Sequence, residues 1–405
     1  MNASAPPAPS AERHVLIIVE NLPVPFDRRV WSEATTLHGA GYAVTVICPG
    51  ASGATAEREV IDGITVWRHP LREAVGGVGD YAREYAQALW WESRLAWRVW
   101  REHRFDAVHL CNPPDLLFSV ALPFKALGVR VLFDHHDLSP ELYVTKFARR
   151  GLAHTLLLAA ERATFAVADH VIATNESYAS IARERGRKRA DDVSVVRSAP
   201  DLRRFVRCAA RAGSERSGTP ATIGYVGVMA TQDGVDLLVR AMHDLVHARG
   251  EDAVRAVLIG DGPARPCLEA LASELGIAKA VRFTGFLAGD ELLRTMSEFD
   301  VGVCPDPKNP YNDKCTMNKI LEYMALGVPV VQFDLVEGRR SAGDAALYAG
   351  EDNDPASLAG AVGRLLDDPA LRARLGHEGR RRMRDTLEWQ HQAPRLIEAY
   401  RRLLS

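Results

Sequence analysis

Short runs of β-branched and apolar residues alternate with longer segments of helical pattern along almost the whole chain. This alternation is typical of parallel sheets covered by helices on both faces, because parallel neighbours need a crossover connection. The sequence therefore predicts an α/β fold. The strands predicted in the first half are His14–Glu20, Ala43–Cys48, Ile64–Arg68, Ala107–Cys111, Val129–Asp134, His170–Thr174 and Val193–Arg197.

The same pattern restarts in the second half, after residues 208–220, which are rich in Ala, Gly, Ser and Pro and lack apolar periodicity. The restart predicts a second doubly wound domain, with strands Thr222–Val226, Val254–Ile259, Val281–Thr284, Asp300–Cys304 and Val328–Phe333. A cleft between two facing domains, beyond the carboxyl ends of their strands, is where we expect ligands. The expected organisation is a disordered tail (1–13), an N-terminal domain (14–207), a linker (208–220), a C-terminal domain (221–385) and a final helix packing back on the N-terminal domain (386–405).

Composition and charge exclude several classes of protein. The chain has 405 residues, of which 47% are hydrophobic and 25% charged, so wholesale disorder is excluded. Its 50 basic and 52 acidic residues give a net charge of −2, and we expect no nucleic-acid partner. Residues 1–13 lack a signal-peptide pattern, and no apolar run reaches the roughly 18–20 residues that span a bilayer. We therefore expect a cytoplasmic protein.

The six cysteines are scattered, without CxxC pairs or paired histidines nearby. This spacing argues against a zinc site and against a disulfide framework, and it fits reduced thiols in a cytoplasm. We expect no metal site. The cysteines are Cys48, Cys111, Cys208, Cys267, Cys304 and Cys315.

Two kinds of nucleotide chemistry can be tested directly on the sequence. A dinucleotide-binding fold needs G-x-G-x-x-G after a strand, and the nearest match, Gly260–Arg265, lacks the third glycine. A phosphate-binding loop with the Walker lysine is also missing. The pair Gly260 and Gly262 equally fits an ordinary strand-to-helix turn, and we expect no redox cofactor.

The segment from Asp300 to Val331 carries the strongest chemical signal. A strand leads into a polar loop, and a helix begins near Thr316 and stops at Gly327. The N–H groups at such a helix start, here Thr316, Met317 and Asn318, favour a phosphate. Lys319 lies in the first turn, where it would pair with a diphosphate, and Glu322 follows on the same face, where its carboxylate would accept hydrogen bonds from a ribose diol. A solvated Lys–Glu pair is the alternative.

At this point the sequence resembles family 4 of the nucleotide-sugar glycosyltransferases, which have the GT-B architecture of two facing doubly wound domains. The resemblance covers nearly the whole chain and is closest to a subfamily with an Asn-Lys-x-x-Glu-Tyr-Met-Ala element. The matching stretches are Pro23–Trp31 with Gly41, 46–49, Asp134–Glu141, Gly224–Gly227, Ile259–Pro263, Phe283–Gly285, Leu321–Val331 and Trp389.

The resemblance implies retaining transfer of a glycosyl group from a nucleotide diphosphate sugar, without a metal. It implies that Glu322 binds the nucleotide ribose, that Lys319 binds the diphosphate and that His136 reaches the donor sugar from the N-terminal domain. These three are the candidate catalytic residues. The further donor-binding candidates are Gly227, Val228, Met229, Gly260, Gly262, Lys314, Thr316, Met317, Asn318, Arg339 and Arg197.

The chain departs from the family pattern at three positions. Lys314 stands where the family has the first glutamate of its E-x7-E element, so the donor sugar cannot be carried over. Val228 and Asp233 stand where the family usually has an arginine and a lysine that clamp the diphosphate. We expect Lys319, Arg339, Arg197 and backbone N–H groups, including those of residues 228–231, to replace these two cations. Arg339 is expected in a loop, Asp334–Ser341, that follows the strand ending at Phe333.

The acceptor is expected on the N-terminal domain. Arg28 and Arg29 follow the first strand, in a proline-containing segment that replaces the glycine-rich loop of many relatives, and either would contact an anionic acceptor or the diphosphate. Surface arginines at a helix start are the alternative. Asp137 would orient His136 or cap the next helix.

Four of the seven tryptophans lie within residues 81–104, mixed with arginines. This mixture suits peripheral contact with the inner face of a membrane, although a helix covering the N-terminal sheet fits the pattern better.

The main hypothesis is a glycosyltransferase that uses a nucleotide sugar and a saccharide, lipid-linked or small-molecule acceptor. The alternatives are a sugar-nucleotide epimerase or hydrolase of the same fold and a catalytically weak nucleotide-sugar binder.

Overall fold

The structure is a computed structural model that describes residues 13–50, 57–70, 78–203, 205, 219–350 and 352–405. The predicted tail up to residue 12 and the predicted linker up to residue 218 lie outside the described residues. The chain divides into two compact units. The first unit contains residues 1–140, 149–197 and 392–405, and the second contains residues 141–148 and 198–391.

The first unit is built on an eight-stranded sheet in the order β3-β4-β2-β1-β5-β6-β7-β8. All neighbours are parallel except β3 and β4, which form an antiparallel hairpin. The seven predicted strands are confirmed to within two residues, whereas the half-exposed edge strand β3 was missed. The strands are β1 (His14–Val19), β2 (Ala43–Pro49), β3 (Arg58–Ile61), β4 (Ile64–His69), β5 (Ala107–Cys111), β6 (Arg130–His135), β7 (His170–Ala173) and β8 (Val193–Val195).

Helices cover both faces of this sheet, so its central strands are buried on both faces. All six residues of β1 are buried. The last helix of the chain contributes Tyr400, whose hydroxyl group is 2.9 Å from Nδ1 of His109 on β5. The helices are α1 (Arg28–Gly39), α2 (Val78–Glu102), α3 (Phe118–Ala126), α4 (Ser139–Phe147), α5 (Leu152–Val167), α6 (Glu176–Glu184) and α14 (Trp389–Leu403), with α4 and α14 shared between the units.

The tryptophan-rich helix α2 packs on α3 through part of its aromatic face. Trp97 and Trp100 both contact the ring of Phe124, at centroid distances of 4.8 and 5.6 Å. Trp90 is 55% exposed, with Arg94 over its ring. None of the helices in the described ranges is long and apolar enough to cross a membrane. Peripheral membrane contact stays a prediction.

The second unit has a six-stranded, all-parallel sheet in the order β11-β10-β9-β12-β13-β14. The order reverses between β9 and β12, which is the topological switch point where such sheets bind ligands. The five predicted strands are confirmed to within two residues, and β14 was missed. The strands are β9 (Ala221–Val226), β10 (Val254–Ile259), β11 (Val281–Gly285), β12 (Val301–Cys304), β13 (Val330–Phe333) and β14 (Ala346–Ala349).

Helix α10 is buried from Ile320 to Leu326 and ends at Gly327, which adopts a left-handed φ of +67°. It begins two residues later than predicted. The segment from Asp334 to Ser341, predicted to be a loop, is largely helix α11, a correction that bears on Arg339. The helices of this unit are α7 (Val235–Arg249), α8 (Arg265–Glu274), α9 (Gly289–Ser297), α10 (Asn318–Leu326), α11 (Val336–Ala342), α12 (Pro355–Asp367) and α13 (Pro369–Arg382).

Gly224 on β9 lets the ring of Phe299 pack directly against the strand. A Cβ atom at this position would lie 1.9 Å from Cδ2 of Phe299, a distance that no real contact tolerates. Because both residues are buried in the core, neither can move toward solvent. The close approach of strand and ring therefore requires glycine.

We predict that Gly224→Ala destabilises the protein by about 1–3 kcal/mol through overpacking. Gly360→Ala is the matched control, since Gly360 lies in α12 and a Cβ added there would have no neighbouring atom within 4 Å, so alanine should add helix stability. Thermal unfolding followed by circular dichroism measures both. Equal midpoints for the two variants would contradict the packing argument.

Candidate functional site

The loops after β9 and β10 pack face to face at the carboxyl edge of the second sheet. A Cβ on Gly260 would lie 1.9 Å from the carbonyl oxygen of Gly227, and a Cβ on Gly262 would lie 2.5 Å from that of Met229. Gly227 and Met229 donate their N–H groups to Ile259 and Asp261 at 3.0 and 2.9 Å. The predicted donor-binding glycines are thus brought together beside the switch point, in a backbone arrangement that excludes side chains.

Lys319 lies against this glycine pair, in the first turn of α10. Its Cε would be 3.3 Å from a Cβ on Gly227, and its ammonium group lies 5.0 Å from the centre of the Tyr225 ring. Nζ donates to Oδ2 of Asp306 at 2.7 Å. Burial opposes the charged form of Lys319, but Asp306 outweighs it and raises the pKa of the lysine well above its usual range. Lys319 is therefore a buried, charged lysine at the switch point.

Tyr323 fixes α10 to the two strands that flank the switch point. Its hydroxyl oxygen accepts from the N–H of Val226 at 3.0 Å, and its hydroxyl group lies 3.3 Å from the carbonyl oxygen of Val303. Glu322 precedes Tyr323 on the same helix and is largely buried. Lys319 and Glu322 are thereby held on a helix that cannot shift without breaking the hydrogen bonds of Tyr323.

The structure shows what Asp233 does in the place of the expected lysine. Asp233 accepts a hydrogen bond from the N–H of Ala230 at 2.9 Å, so it closes its own loop. Burial raises the pKa of Asp233 to about 6. The negative charge of Asp306 adds to this rise, and the positive charge of Lys319 opposes it. Because the N–H groups of Met229 and Ala230 are both used internally, the expectation that the 228–231 backbone as a whole replaces the cations is wrong for these two positions.

The polar loop before α10 is held by a buried amide. Nδ2 of Asn312 donates to the carbonyl oxygens of Gln232 and Pro307 at 3.0 and 2.9 Å, which ties the two loops of the switch point together. Nζ of Lys314 donates to the carbonyl oxygen of Pro310 at 2.9 Å. Thr316 and Met317 follow without regular secondary structure and lead into Asn318, the first residue of α10.

Arg339 is engaged within its own neighbourhood. Its guanidinium group makes two hydrogen bonds with Asp334 and lies 4.0 Å from the centre of the Tyr348 ring. It projects from helix α11, not from the predicted loop. To contact a diphosphate it would have to share its charge with the Asp334 carboxylate.

In the first unit, His136 follows β6 and is held by Asp134. Nδ1 of His136 is 2.9 Å from Oδ2 of Asp134, and the His136 side chain is 13% exposed. The neighbouring His135 is fully buried against Phe133 and Phe165. As the strand pleat predicts, the two histidines point to different sides of the sheet. His136 lies on the side of Asp134, and His135 lies on the side of the two phenylalanines.

Arg29 is a correction to the predicted acceptor contact. Its Nε and Nη2 bond both oxygens of Asp134, at 2.8 and 2.6 Å, and Nη1 donates to the carbonyl oxygen of Val196 at 2.9 Å. Since its side chain is buried and its donors are used inside the domain, Arg29 acts as an internal counter-ion.

The other two predicted arginines of this unit lie elsewhere. Arg28 is exposed, and the Arg197 N–H donates to Oε1 of Gln392 at 3.2 Å.

Asn112 fixes the backbone of the His136 turn. Its Oδ1 accepts from the N–H groups of His136 and Asp137 at 2.9 and 3.2 Å, and its Nδ2 donates to the carbonyl oxygen of Asp137 at 2.9 Å. The carboxylate of Asp137 accepts from the N–H of Leu138 at 2.7 Å. Asp137 thus caps its own turn, while Asp134 is the residue that orients His136.

Four buried groups, Asp134 among them, are of the residue types that bind metals. Glu33, His109, Cys111 and Asp134 bring one ligand atom each to within 4.8 Å of one another. A positive charge already occupies this cluster, because Arg29 bonds Asp134 and lies 3.1 Å from Oε1 of Glu33. Burial lowers the pKa of His109 to about 4. The cluster therefore fits an internal ion-pair network built on Arg29.

Sequence reasoning missed Asp134 and Asp306 as site residues. For Asp134 the signal was present, because residues two apart on an extended strand share a face, and Asp134 precedes His136 by two. For Asp306 the signal was weaker, since only its position just after a buried strand marks it. Pairing of Asp306 with a lysine 13 residues later depends on the tertiary fold.

Two family profiles match the chain. The family described as "Glycosyl transferase 4-like domain" matches residues 27–199, and the family described as "Glycosyl transferases group 1" matches residues 220–368. The chain is also 30% identical over 306 residues to a 2-deoxystreptamine glucosyltransferase from Streptomyces kanamyceticus. That alignment covers 73% of this chain and 77% of the relative.

Solved structures with low sequence identity share the fold. Sucrose-phosphate synthase from Thermosynechococcus elongatus superposes with a TM-score of 0.77 at 20% identity, covering 97% of this chain and 99% of that one. Alr3699/HepE from Anabaena in complex with UDP-glucose gives 0.72 at 15% identity, covering 96% and 99%. The two parallel-sheet domains thus have the GT-B fold, and the chain belongs to the group 1 glycosyl transferases, with a glycosyl transferase 4-like domain in its first half.

Proposed function

We propose that the protein transfers a sugar from a nucleotide diphosphate sugar to a hydroxyl group of a saccharide, lipid-linked or small-molecule acceptor, with retention of anomeric configuration and without a metal. In this proposal the donor binds at the switch point of the second unit. Glu322 accepts hydrogen bonds from the ribose, Lys319 pairs with the diphosphate and His136 contacts the donor sugar.

The observation that carries the proposal is the position of Lys319. A buried ammonium group lies beside two glycine-dependent loops at the carboxyl edge of a parallel sheet, where the order of the strands reverses. The two loops pack backbone against backbone between Gly227 and Gly260, so no side chain stands between the loops there. A diphosphate is the ligand that best fits a charged lysine next to a helix start.

The charge balance of the site sets a requirement on the donor. Lys319 is already paired with Asp306, and Asp233 adds a second carboxylate nearby. A diphosphate must therefore take Lys319 from Asp306 or share it. Stabilisation of the leaving diphosphate would come from Lys319 together with the N-terminal end of α10, and this charge stabilisation drives cleavage of the donor.

The relatives suggest which molecules to test first. Alr3699/HepE was solved with UDP-glucose, and the relative from Streptomyces kanamyceticus is named 2-deoxystreptamine glucosyltransferase. The panel therefore starts with UDP-glucose and 2-deoxystreptamine and extends to GDP and dTDP sugars, other cyclitols, saccharides and lipid-linked saccharides. Nucleotide release followed with and without each acceptor separates transfer from hydrolysis, and the anomeric NMR signal of the product reports retention.

We predict that removing the charge of Lys319 weakens donor turnover by about tenfold to a hundredfold, the value of a hydrogen bond to a charged group. Because Lys319→Met alone would leave Asp306 buried and unpaired, the substitution is made together with Asp306→Asn. The matched control is Lys279→Met, at an exposed lysine of the same unit. Turnover by the double variant at the wild-type rate would contradict the proposal that Lys319 binds the diphosphate.

We predict that Glu322→Gln weakens donor binding by about tenfold, because a carboxamide accepts fewer and weaker hydrogen bonds from a diol than a carboxylate does. The control is Glu274→Gln, an exposed glutamate of the same unit. Titration calorimetry with the free nucleotide diphosphate measures both. Equal affinities for the two variants would remove Glu322 from the ribose site.

We predict that chelation with EDTA leaves turnover unchanged, because the proposal assigns stabilisation of the leaving group to Lys319 and a helix terminus. Turnover is measured before and after dialysis against EDTA, and after addition of Mg²⁺ or Mn²⁺. Activity that is lost on chelation and restored by a divalent ion would overturn the metal-independent mechanism.

In the assays with the acceptor panel, product formed without an acceptor would favour the epimerase or hydrolase, and binding without turnover would favour the inactive binder.

A further inference from the structure

Asp134 connects a buried arginine to the candidate catalytic histidine. It is fully buried at the end of β6 and accepts hydrogen bonds from three nitrogen atoms, Nε and Nη2 of Arg29 and Nδ1 of His136. Burial opposes the ionisation of Asp134, but Arg29 and His136 outweigh it and hold the pKa of Asp134 below its usual range. Asp134 is therefore a carboxylate in the folded protein.

The rest of the turn leaves the outer nitrogen of His136 available. Asn112 fixes the backbone of His136, and Asp134 takes Nδ1. Among the described residues, nothing hydrogen-bonds Nε2 of His136, and the side chain keeps 13% of its surface exposed. A ring fixed through one nitrogen and open at the other presents that second nitrogen in one direction.

We propose that Asp134, kept ionised by Arg29, is a positioning residue that fixes His136 as an imidazolium whose Nε2–H donates to the sugar-nucleotide donor. This inference rests on the proposed function, in which His136 contacts the donor. It adds the charge state and the direction of the hydrogen bond. His136 then works as a donor of a hydrogen bond and not as a base.

The surroundings of His136 support the charged state. Burial lowers the pKa of His136, but the charge and the hydrogen bond of Asp134 outweigh burial, so its pKa is raised above 6.5. The positive charge of Arg29 lowers the pKa of His136, and the negative charge of Asp27 raises it. Burial raises the pKa of Glu33 and lowers that of His109. The charged or titratable groups around the ring are Asp134 on β6, Arg29 and Glu33 on α1, Asp27 at its start and His109 on β5.

The direct test is an NMR titration of the protein with 13C-labelled histidine, without substrate, in which His136→Gln identifies the His136 signal. The wild-type ring should titrate above the value of about 6.5 for a free histidine. In Asp134→Asn, which keeps the shape and removes the charge, the titration should move to lower pH. Asp191→Asn, at an exposed carboxylate of the same unit, should leave it unchanged. A wild-type titration at or below 6.5 overturns the inference even if Asp134→Asn fails to fold.

A pH profile of donor turnover tests the role of the charged ring. Because the imidazolium is the working form, activity should fall as pH rises through the pKa of His136. In Asp134→Asn this fall should move to lower pH, with about a tenfold loss at pH 8 for each unit by which the pKa of His136 falls, and recovery at pH 5.5. An equal loss at both pH values would show a purely structural role and overturn the inference.

The two measurements separate the inference from the proposed function. If the titration of His136 behaves as expected and no sugar nucleotide is turned over, the proposed function fails while the positioning by Asp134 stands. If the wild type turns over donor and Asp134→Asn has the same pH profile, the proposed function stands and the inference is overturned.

Discussion

Two buried ion pairs organise the chemistry of this chain, Arg29 with Asp134 in the first unit and Lys319 with Asp306 in the second. In each pair the carboxylate lies at or just beyond the carboxyl end of a parallel strand, and the cation comes from the first turn of a helix. A buried charge without its partner costs several kcal/mol, so each pair must form if its unit is to fold as described. The functional side chains are arranged around these pairs.

The two pairs differ in how they are exposed to a ligand. Arg29 is held by a fork of two hydrogen bonds to Asp134 and a third bond to a carbonyl group, which leaves it no role outside the domain. Lys319 makes a single short contact with Asp306 and borders loops that need glycine. An ammonium group with three donors can keep one partner and bind a second. This difference supports the proposal that Lys319 binds the ligand, and it makes Arg29 a structural residue.

Much of the fold could be predicted from the sequence because its signal is local. Buried parallel strands such as Val254–Ile259 are continuous apolar runs, and the switch from period two to helical periodicity marks each crossover. The edge strand Arg58–Ile61 was missed because it is short and half exposed. The helix that carries Arg339 was missed because seven residues containing glycine and two arginines have little periodic signal.

The candidate site could be predicted only in part. Gly227, Gly260, Lys319 and His136 were marked by their place after a strand or at a helix start, which is a local property. Their partners could not be identified in the same way, because Asp306 meets Lys319 and Arg29 meets Asp134 only through the tertiary fold. The predicted acceptor contact of Arg29 failed for this reason, since a sequence shows an arginine but not the carboxylate that neutralises it.

The central claim is that a sugar nucleotide binds at the switch point of the second sheet. Hydrogen exchange followed by mass spectrometry tests it most directly, with the full chain at saturating concentrations of whichever nucleotide diphosphate sugar stabilises it most. Binding at the switch point predicts slower exchange in peptides covering residues 226–231, 259–264 and 315–323. Tight binding that leaves these three segments unprotected would contradict it.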